Sequence, residues 1–288
     1  MVSSMTGYAS VARELPQGTL TLELKSVNGR FLDVQFRIAE DLRAAEPQLR
    51  ELVMASVARG KVDCRVNFAG SPLARSDVTL NAEVLARLGQ MSDAVRAAIP
   101  RAEPLRVAEV LHWPGVLDDQ GGGAEALREA AIDAMRGALK ELTAARTREG
   151  DRLATMIRER VVRIRTRLAE IEPLIPKAIA VYEEKLAAKL REALGGGDEE
   201  RIRQEIAVYG VRIDVAEELS RLATHLDEVE RVLKAGGTVG KRLDFLMQEL
   251  NREANTLGSK SVSKELSAAA LDFKLAIEQM REQVQNLE

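Results

Sequence analysis

The chain has 288 residues, 45% of them hydrophobic, 30% charged and only 3% aromatic, the composition of a globular protein whose core rests on Leu, Val, Ile and Ala. A formal net charge of −3, from 42 Lys and Arg against 45 Asp and Glu, gives no direct pointer to nucleic acid, although the cations can still be gathered on one face. Cys64 stands alone, which excludes a disulfide framework or a Cys-based zinc site, and the lack of any run of about 18 apolar residues argues against a membrane span.

The first residues, MVSSMTGYASVARELPQG, lack a basic stretch followed by an apolar one, so no secretory signal is read there and a cytoplasmic protein is expected. Strand patterns follow. Leu20, Leu22 and Leu24 alternate with Thr21, Glu23 and Lys25; Leu32, Val34, Phe36 and Ile38 repeat the alternation, as do Val62, Cys64, Val66 and Phe68. Asn28-Gly29 between the first two runs predicts a hairpin, because both residue types tolerate positive φ. Pro47 suits a first helical turn, and Leu49, Leu52, Val53 and Val57 continue at helical spacing, which places a helix between the later strands.

After Ser71-Pro72 no further strand is expected, and helical patterns take over at about 80–98 and 106–112. A segment over 124–170 would reach about 70 Å as one helix, with Gly150 as a candidate break. Pro173 and Pro176 end it, and 177–194 then forms the second arm of an expected helical hairpin. The Gly121–Gly123 and Gly195–Gly197 runs read as loops, since neither has the strand, lysine and helix of a phosphate-binding loop. Helices at about 198–209, 215–234, 240–256 and 262–287 complete the chain. The expectation is therefore an α+β fold: a small β-rich N-terminal domain (1–120), a long helical hairpin (121–200) and a helical C-terminal domain (201–288).

Candidate chemistry is sparse, with only two histidines. His112 precedes Trp113-Pro114-Gly115 and reads as a partly buried residue of a turn. Asp214 and Glu217 have capping-box spacing at a helix start. Seven residues apart on that helix, Glu218 and His225 fall within about 20° of each other at the edge of the apolar face, where they can hold a cation, share a proton or simply pack.

The stretch GKRLDFLMQELNREANTLGSK, ending at a Gly-Ser turn, has three faces on a helical wheel rather than two. Leu243, Leu246, Met247, Leu250, Ala254 and Leu257 form an apolar arc about 100° wide; Asp244, Gln248, Asn251 and Asn255 form a stripe about 60° wide. Arg242, Glu249 and Glu253 form a third, and the two carboxylates at i,i+4 repel unless a cation sits between them. Two readings fit that spacing: a structural ion-pair network with Arg242 or Arg252, and a divalent-metal site in which Glu249 and Glu253 join Glu218 and His225. Arg231, Lys234, Lys241, Arg242, Arg252 and Lys260 are close enough in sequence to hold phosphates.

GKRLDFLMQELNREANTLGSK resembles the C-terminal signature of the YicC/YloC family of bacterial endoribonucleases. SMTGY (Ser4–Tyr8), ELKSVNGRFLD (Glu23–Asp33) and RGKVDC (Arg59–Cys64) resemble that family's N-terminal domain. RIDVAEELSRLATHLDEV (Arg212–Val229) resembles the segment before the C-terminal signature, REQVQNLE resembles the family's ending, and WPGVL (Trp113–Leu117) matches in the middle. The resemblance implies a metal-dependent endoribonuclease that cleaves RNA phosphodiester bonds in RNA turnover or small-RNA decay, with Mn²⁺ or Mg²⁺ as cofactor. It also implies a ring-like homo-oligomer, a hexamer first. By position the signature carries over onto Asp244, Gln248, Glu249, Arg252, Glu253, Asn255, Lys260 and, upstream, Glu218 and His225, without assigning their roles. From residue chemistry His225, Glu249, Arg252 and Lys260 are catalytic candidates, and Glu218, His225, Glu249 and Glu253 metal ligands, with Asp244 as an alternative ligand. RNA contacts are expected from Lys241, Arg242, Gln248, Asn251 and Asn255, and from Lys25, Arg30, Arg59 and Lys61 at loop tips of the strand domain. The alternative function is an oligomeric RNA-binding adaptor that presents RNA to another nuclease.

Overall fold

The computed structural model describes residues 1–70, 79–118, 122–194 and 198–288, and the fold is α+β. Ser71-Pro72, Gly121 and the Gly195–Gly197 corner lie outside the described residues. The chain divides into two compact units, Tyr8–Leu142 and Met1–Gly7 with Thr143–Glu288, so the boundary falls inside one long helix rather than at 120 or 200.

In the first unit, strands β1 (Gly7–Leu15), β2 (Gly18–Val27), β3 (Leu32–Ile38) and β4 (Gly60–Gly70) form a sheet in the order β1-β2-β4-β3. Alternation sorts the faces as expected: Leu20, Leu22 and Leu24 of β2 stand beside Phe68, Val66 and Cys64 of antiparallel β4. The first three are fully buried, as are Val62, Cys64 and Val66. Helix α1 (Glu46–Ser56) adds Leu49 and Val53 to this core, and the first part of α4 (Gly122–Ile171) adds Ala131, Ala134, Met135 and Leu142.

The Asn28-Gly29 hairpin does not form. β3 runs parallel to β4, which lies between β2 and β3, so the dipeptide spans a crossing and not a tight turn. Gly29 serves a close approach instead: a Cβ there would lie 3.1 Å from the Gly60 carbonyl carbon and the Lys61 nitrogen. The tight connection joins β1 to β2 through Pro16-Gln17. A small antiparallel ribbon also stands where only helices were expected, pairing β5 (Thr79–Leu80) with β6 (Leu117–Asp118). It brackets α2 (Ala82–Ala98), capped by the Asn81 side chain on the Glu83 and Val84 amides, and α3 (Val107–Leu111). His112 and Trp113 are exposed rather than buried, and His112 Nδ1 lies 2.7 Å from the Ala108 carbonyl oxygen.

Helix α4 runs unbroken from Gly122 to Ile171, so Gly122 and Gly123 are helical rather than loop. Gly150 leaves room and is no break: a Cβ there would sit 2.2 Å from the Val2 carbonyl oxygen, where the first residues cross the helix. The backbone stays helical through the 3-10 turn Glu172–Leu174 into α5 (Ile175–Ala193). The antiparallel hairpin is therefore made by α5 and α6 (Glu199–Ile213) rather than by α4 and α5, and Arg191 on Glu199 at 2.8 Å closes its tip. Pro173 and Pro176 occupy first-turn positions, where a missing N–H breaks no helical bond, so they shape the junction without reversing it.

Helices α7 (Ala216–Ala235), α8 (Gly240–Lys260) and α9 (Lys264–Val284) pack with the second half of α4. The core is aliphatic, as composition required: Ile157, Val161, Leu226, Val229, Met247, Leu250, Ala269 and Ile277 are buried, with Phe273 the single large aromatic among the described residues of this core. The Gly258-Ser259 pair does not end α8, which continues to Lys260. The capping box is not formed either. The cap position falls on Val215, one residue late, so Asp214 binds only the Ala216 amide and Glu217 turns to Arg221.

Candidate active site and nucleic-acid interface

The α7–α8 seam is a ladder of charges. Lys260 Nζ lies 2.8 Å from Glu218 Oε1, Arg221 lies 3.6 Å from Glu253 Oε1, and Arg242 lies 3.2 Å from Glu228 Oε1. These pairs fix an antiparallel register in which His225 stands across from the Phe245–Glu249 turn. At that level the pairing stops. His225 and Glu249 are both half-buried, and neither makes a hydrogen bond or ion pair among the described residues.

The seam explains why the carboxylates sit where they do. Glu218 and Glu253 are buried, and a buried carboxylate needs a cation or donors. Lys260 engages Glu218 Oε1 and Arg221 lies beside Glu253, while Glu218 Oε2 stays buried without a hydrogen-bond partner among the described residues. Lys260 also donates to the Asp214 carbonyl at 2.9 Å, tying the end of α8 to the start of α7. Glu228 accepts from Arg231 and Arg242, which pull its pKa from the ordinary 4.5 down to about 2. The expected Glu218, His225, Glu249 and Glu253 ligand set therefore does not assemble, since two of its carboxylates are engaged by cations. Among the described residues no group of three or more His, Cys, Asp or Glu side chains is placed to hold a metal ion. The residues of one chain do not fit the ion, and no chemical step is derived through it.

On the solvent side of the same helix stand Phe245, Lys241 and Arg252. Phe245 is 49% exposed, with the Arg242 guanidinium 5.8 Å from its ring centroid. Lys241 and Arg252 are exposed and make no ion pair among the described residues. An aromatic ring between free cations suits an RNA strand, which stacks bases on rings and lays phosphates on cations. Sequence reasoning missed Phe245; the available signal was one aromatic residue outside the apolar arc of α8, in a chain with 5 phenylalanines.

The amide stripe lies further round, facing α9. Gln248 donates to Asp244 at 2.9 Å, and Asn255 donates to Asn251 at 3.3 Å, so the amides are ordered in i,i+4 pairs. Together with Met247, Arg252, Thr256 and Arg281 they line a groove of about 400 Å³. The expected RNA residues Gln248, Asn251 and Asn255 are thus brought together, with Arg281 of α9 as a member that spacing on one helix could not find.

In the sheet unit, Lys25, Arg30 and Lys61 are exposed and Arg59 is half-buried. Register gathers them at one end of the sheet, where Val27 pairs with Lys61 and Leu32 with Gly60. Phe31, 72% exposed, lies among them with Arg30 5.4 Å from its ring centroid. Among the described residues no helix is long and apolar enough to cross a membrane.

Two family models match, the endoribonuclease YicC-like N-terminal region over residues 2–155 and the endoribonuclease YicC-like C-terminal domain over 171–288. A probable endoribonuclease YicC of Haemophilus influenzae is 36% identical over 288 residues, covering 100% of both chains. One from Clostridioides difficile is 28% identical over 295 aligned positions, again covering 100% of both. The chain belongs to the YicC-like endoribonuclease family.

Proposed function

We propose that the chain is an endoribonuclease that cuts RNA phosphodiester bonds at the α7–α8 seam, with His225 as its general base and Glu249 as the carboxylate that stabilises the charged imidazole. One observation carries this reading: in a seam whose other levels are ion-paired, the imidazole and the carboxylate on its central level are left without partners, beside Phe245, Lys241 and Arg252. Family membership supports the reaction class, since the relatives are named probable endoribonucleases.

In the proposed step His225 removes the proton of a ribose 2′-hydroxyl, and the 2′-oxygen forms a bond to phosphorus. The bond to the 5′-oxygen breaks, and that oxygen leaves with a proton from water. Products are a 2′,3′-cyclic phosphate and a 5′-hydroxyl. Glu249 across the seam stabilises the imidazolium that forms, while Lys241 and Arg252 balance charge on the phosphoryl oxygens. Phe245 stacks a base next to the cut, and Arg30, Phe31, Arg59, Lys25 and Lys61 of the sheet unit form an RNA-holding patch of their own. Lys260 and Arg242, engaged by Glu218 and Glu228, hold the seam together.

The divalent ion and the six-copy homo-oligomer implied by the family resemblance belong to the same proposal. They are tested by the metal dependence of cutting and by the mass in solution. The direct experiment incubates purified protein with uniformly labelled RNA in Mn²⁺, in Mg²⁺ and in EDTA. Internal cuts by the protein alone support the enzyme. RNA bound but left intact under all three conditions contradicts it and favours the adaptor. Cutting that persists in EDTA contradicts the ion requirement alone.

A further inference from the structure

The α8–α9 groove stands on the other side of Phe245 and Arg252 from the seam, and its chemistry differs. Its floor lies over Met247, which is fully buried and gives the groove an apolar underlayer. Its wall carries the amides of Gln248, Asn251 and Asn255, which offer donors and acceptors together and no charge. Gln248, bonded to the Asp244 carboxylate, and Asn255, bonded to the Asn251 amide, each use one N–H, leaving their oxygens and the Asn251 N–H groups available. From α9, Arg281 reaches the groove with a buried Nε that has no acceptor among the described residues, while its other contact is a 3.7 Å ion pair with Glu278. A buried donor without an acceptor is costly, and a ligand oxygen placed there relieves it.

Resting on the reading of the chain as an RNA-acting enzyme, we propose that this groove is a subsite for one unpaired nucleotide. The base lies in the groove with its edge against the amides, and its phosphate is held by Arg252 and Arg281. The volume of about 400 Å³ admits a single nucleotide and no base pair. Amides can read a base edge in RNA only where the base is splayed out, because the major groove of an A-form duplex is too deep and narrow for side chains. The groove and the seam flank one strip of α8, so Arg252 lies between the held nucleotide and the cut. The subsite therefore selects single-stranded segments and sets the cut a short, fixed number of nucleotides away.

The test measures binding and cutting separately. Fluorescence anisotropy is recorded with a 2′-O-methylated oligonucleotide, which cannot be cut by its own 2′-oxygen, both alone and in a duplex with its complement. Asn251→Ala/Asn255→Ala, Arg281→Gln and the size-conserving Asn255→Asp are compared with the unaltered chain, with thermal melting as a check on folding. The unaltered chain is expected to bind the single strand about tenfold more tightly than the duplex, and each variant to lose most of that preference. Equal affinity for both forms, or variants that keep the preference, overturns the proposal. If RNA is cut but the groove variants bind and position cuts like the unaltered chain, the subsite fails while the enzyme stands. If the groove variants lose binding in a chain that cuts no RNA, the enzyme reading fails and the subsite stands.

Discussion

At the scale of single residues, the seam turns on which charges are paired. Glu228, held by Arg231 and Arg242, has its pKa lowered from 4.5 to about 2. A carboxyl depressed on folding contributes stability that is fully present above its unfolded pKa and is lost as pH falls through the folded one. The window is therefore about pH 4.5 down to about 2. Denaturation midpoints measured through that window should fall less steeply in Glu228→Gln than in the unaltered chain; parallel slopes would contradict the pairing. Phe31 gives a second expectation at this scale. Its exposed ring has no packing role to lose, so Phe31→Ala should leave melting unchanged while weakening single-strand RNA binding by about 1–3 kcal/mol, read by titration. The aromatic residues were visible in the sequence, but their exposure was not. Alternation told which side of a strand a residue takes, and neither Phe31 nor Phe245 lies on a buried face.

At the scale of elements, periodicity located the helices well and misjudged what joins them. Gly150 illustrates the reason. By propensity alone Ala would strengthen α4 there by about 0.5–1 kcal/mol. A Cβ would meet the Val2 carbonyl oxygen at 2.2 Å, and relieving such an overlap costs about 1–3 kcal/mol, so the steric effect wins. Gly150→Ala should thus lower the melting temperature, and an unchanged or raised value would show that the crossing segment moves freely. Gly29 carries the same lesson, since a glycine required by a neighbouring backbone looks in sequence like one required by a turn. Strand order is a long-range property, and nothing local to Asn28-Gly29 announces that β4 will insert beside β2. Within the candidate site, the wheel separated the faces of α8 correctly. It could not tell that Glu218 and Glu253 meet Lys260 and Arg221, because those partners depend on the α7–α8 register.

At the scale of the whole molecule, two motifs of the family resemblance that lie far apart in sequence are joined. Ser4 of SMTGY bridges to Leu287 of REQVQNLE, Met5 N donates to the Asn286 carbonyl at 2.8 Å, and Glu288 N donates to Ser3. Arg146 of α4 secures the junction, donating to the Ser4 carbonyl at 2.6 Å and pairing with Glu288 while only 6% exposed. These motifs therefore serve the fold, whereas the signature on α8 lines the seam and the groove. Removing one partner of a buried pair leaves the other uncompensated, so Arg146→Ala should destabilise the chain by about 3–5 kcal/mol in urea unfolding. A loss below about 1 kcal/mol would place the junction outside the cooperative unit. The central claim concerns the unpaired level of the seam, and single-turnover cutting of RNA by His225→Ala and Glu249→Gln, with binding measured in parallel, tests it most directly. The account predicts cutting slowed by about 10²–10⁴-fold for His225→Ala, a smaller loss for Glu249→Gln, affinity for RNA within about twofold, and 2′,3′-cyclic phosphate ends on the products. Cutting at the unaltered rate in both variants would contradict it.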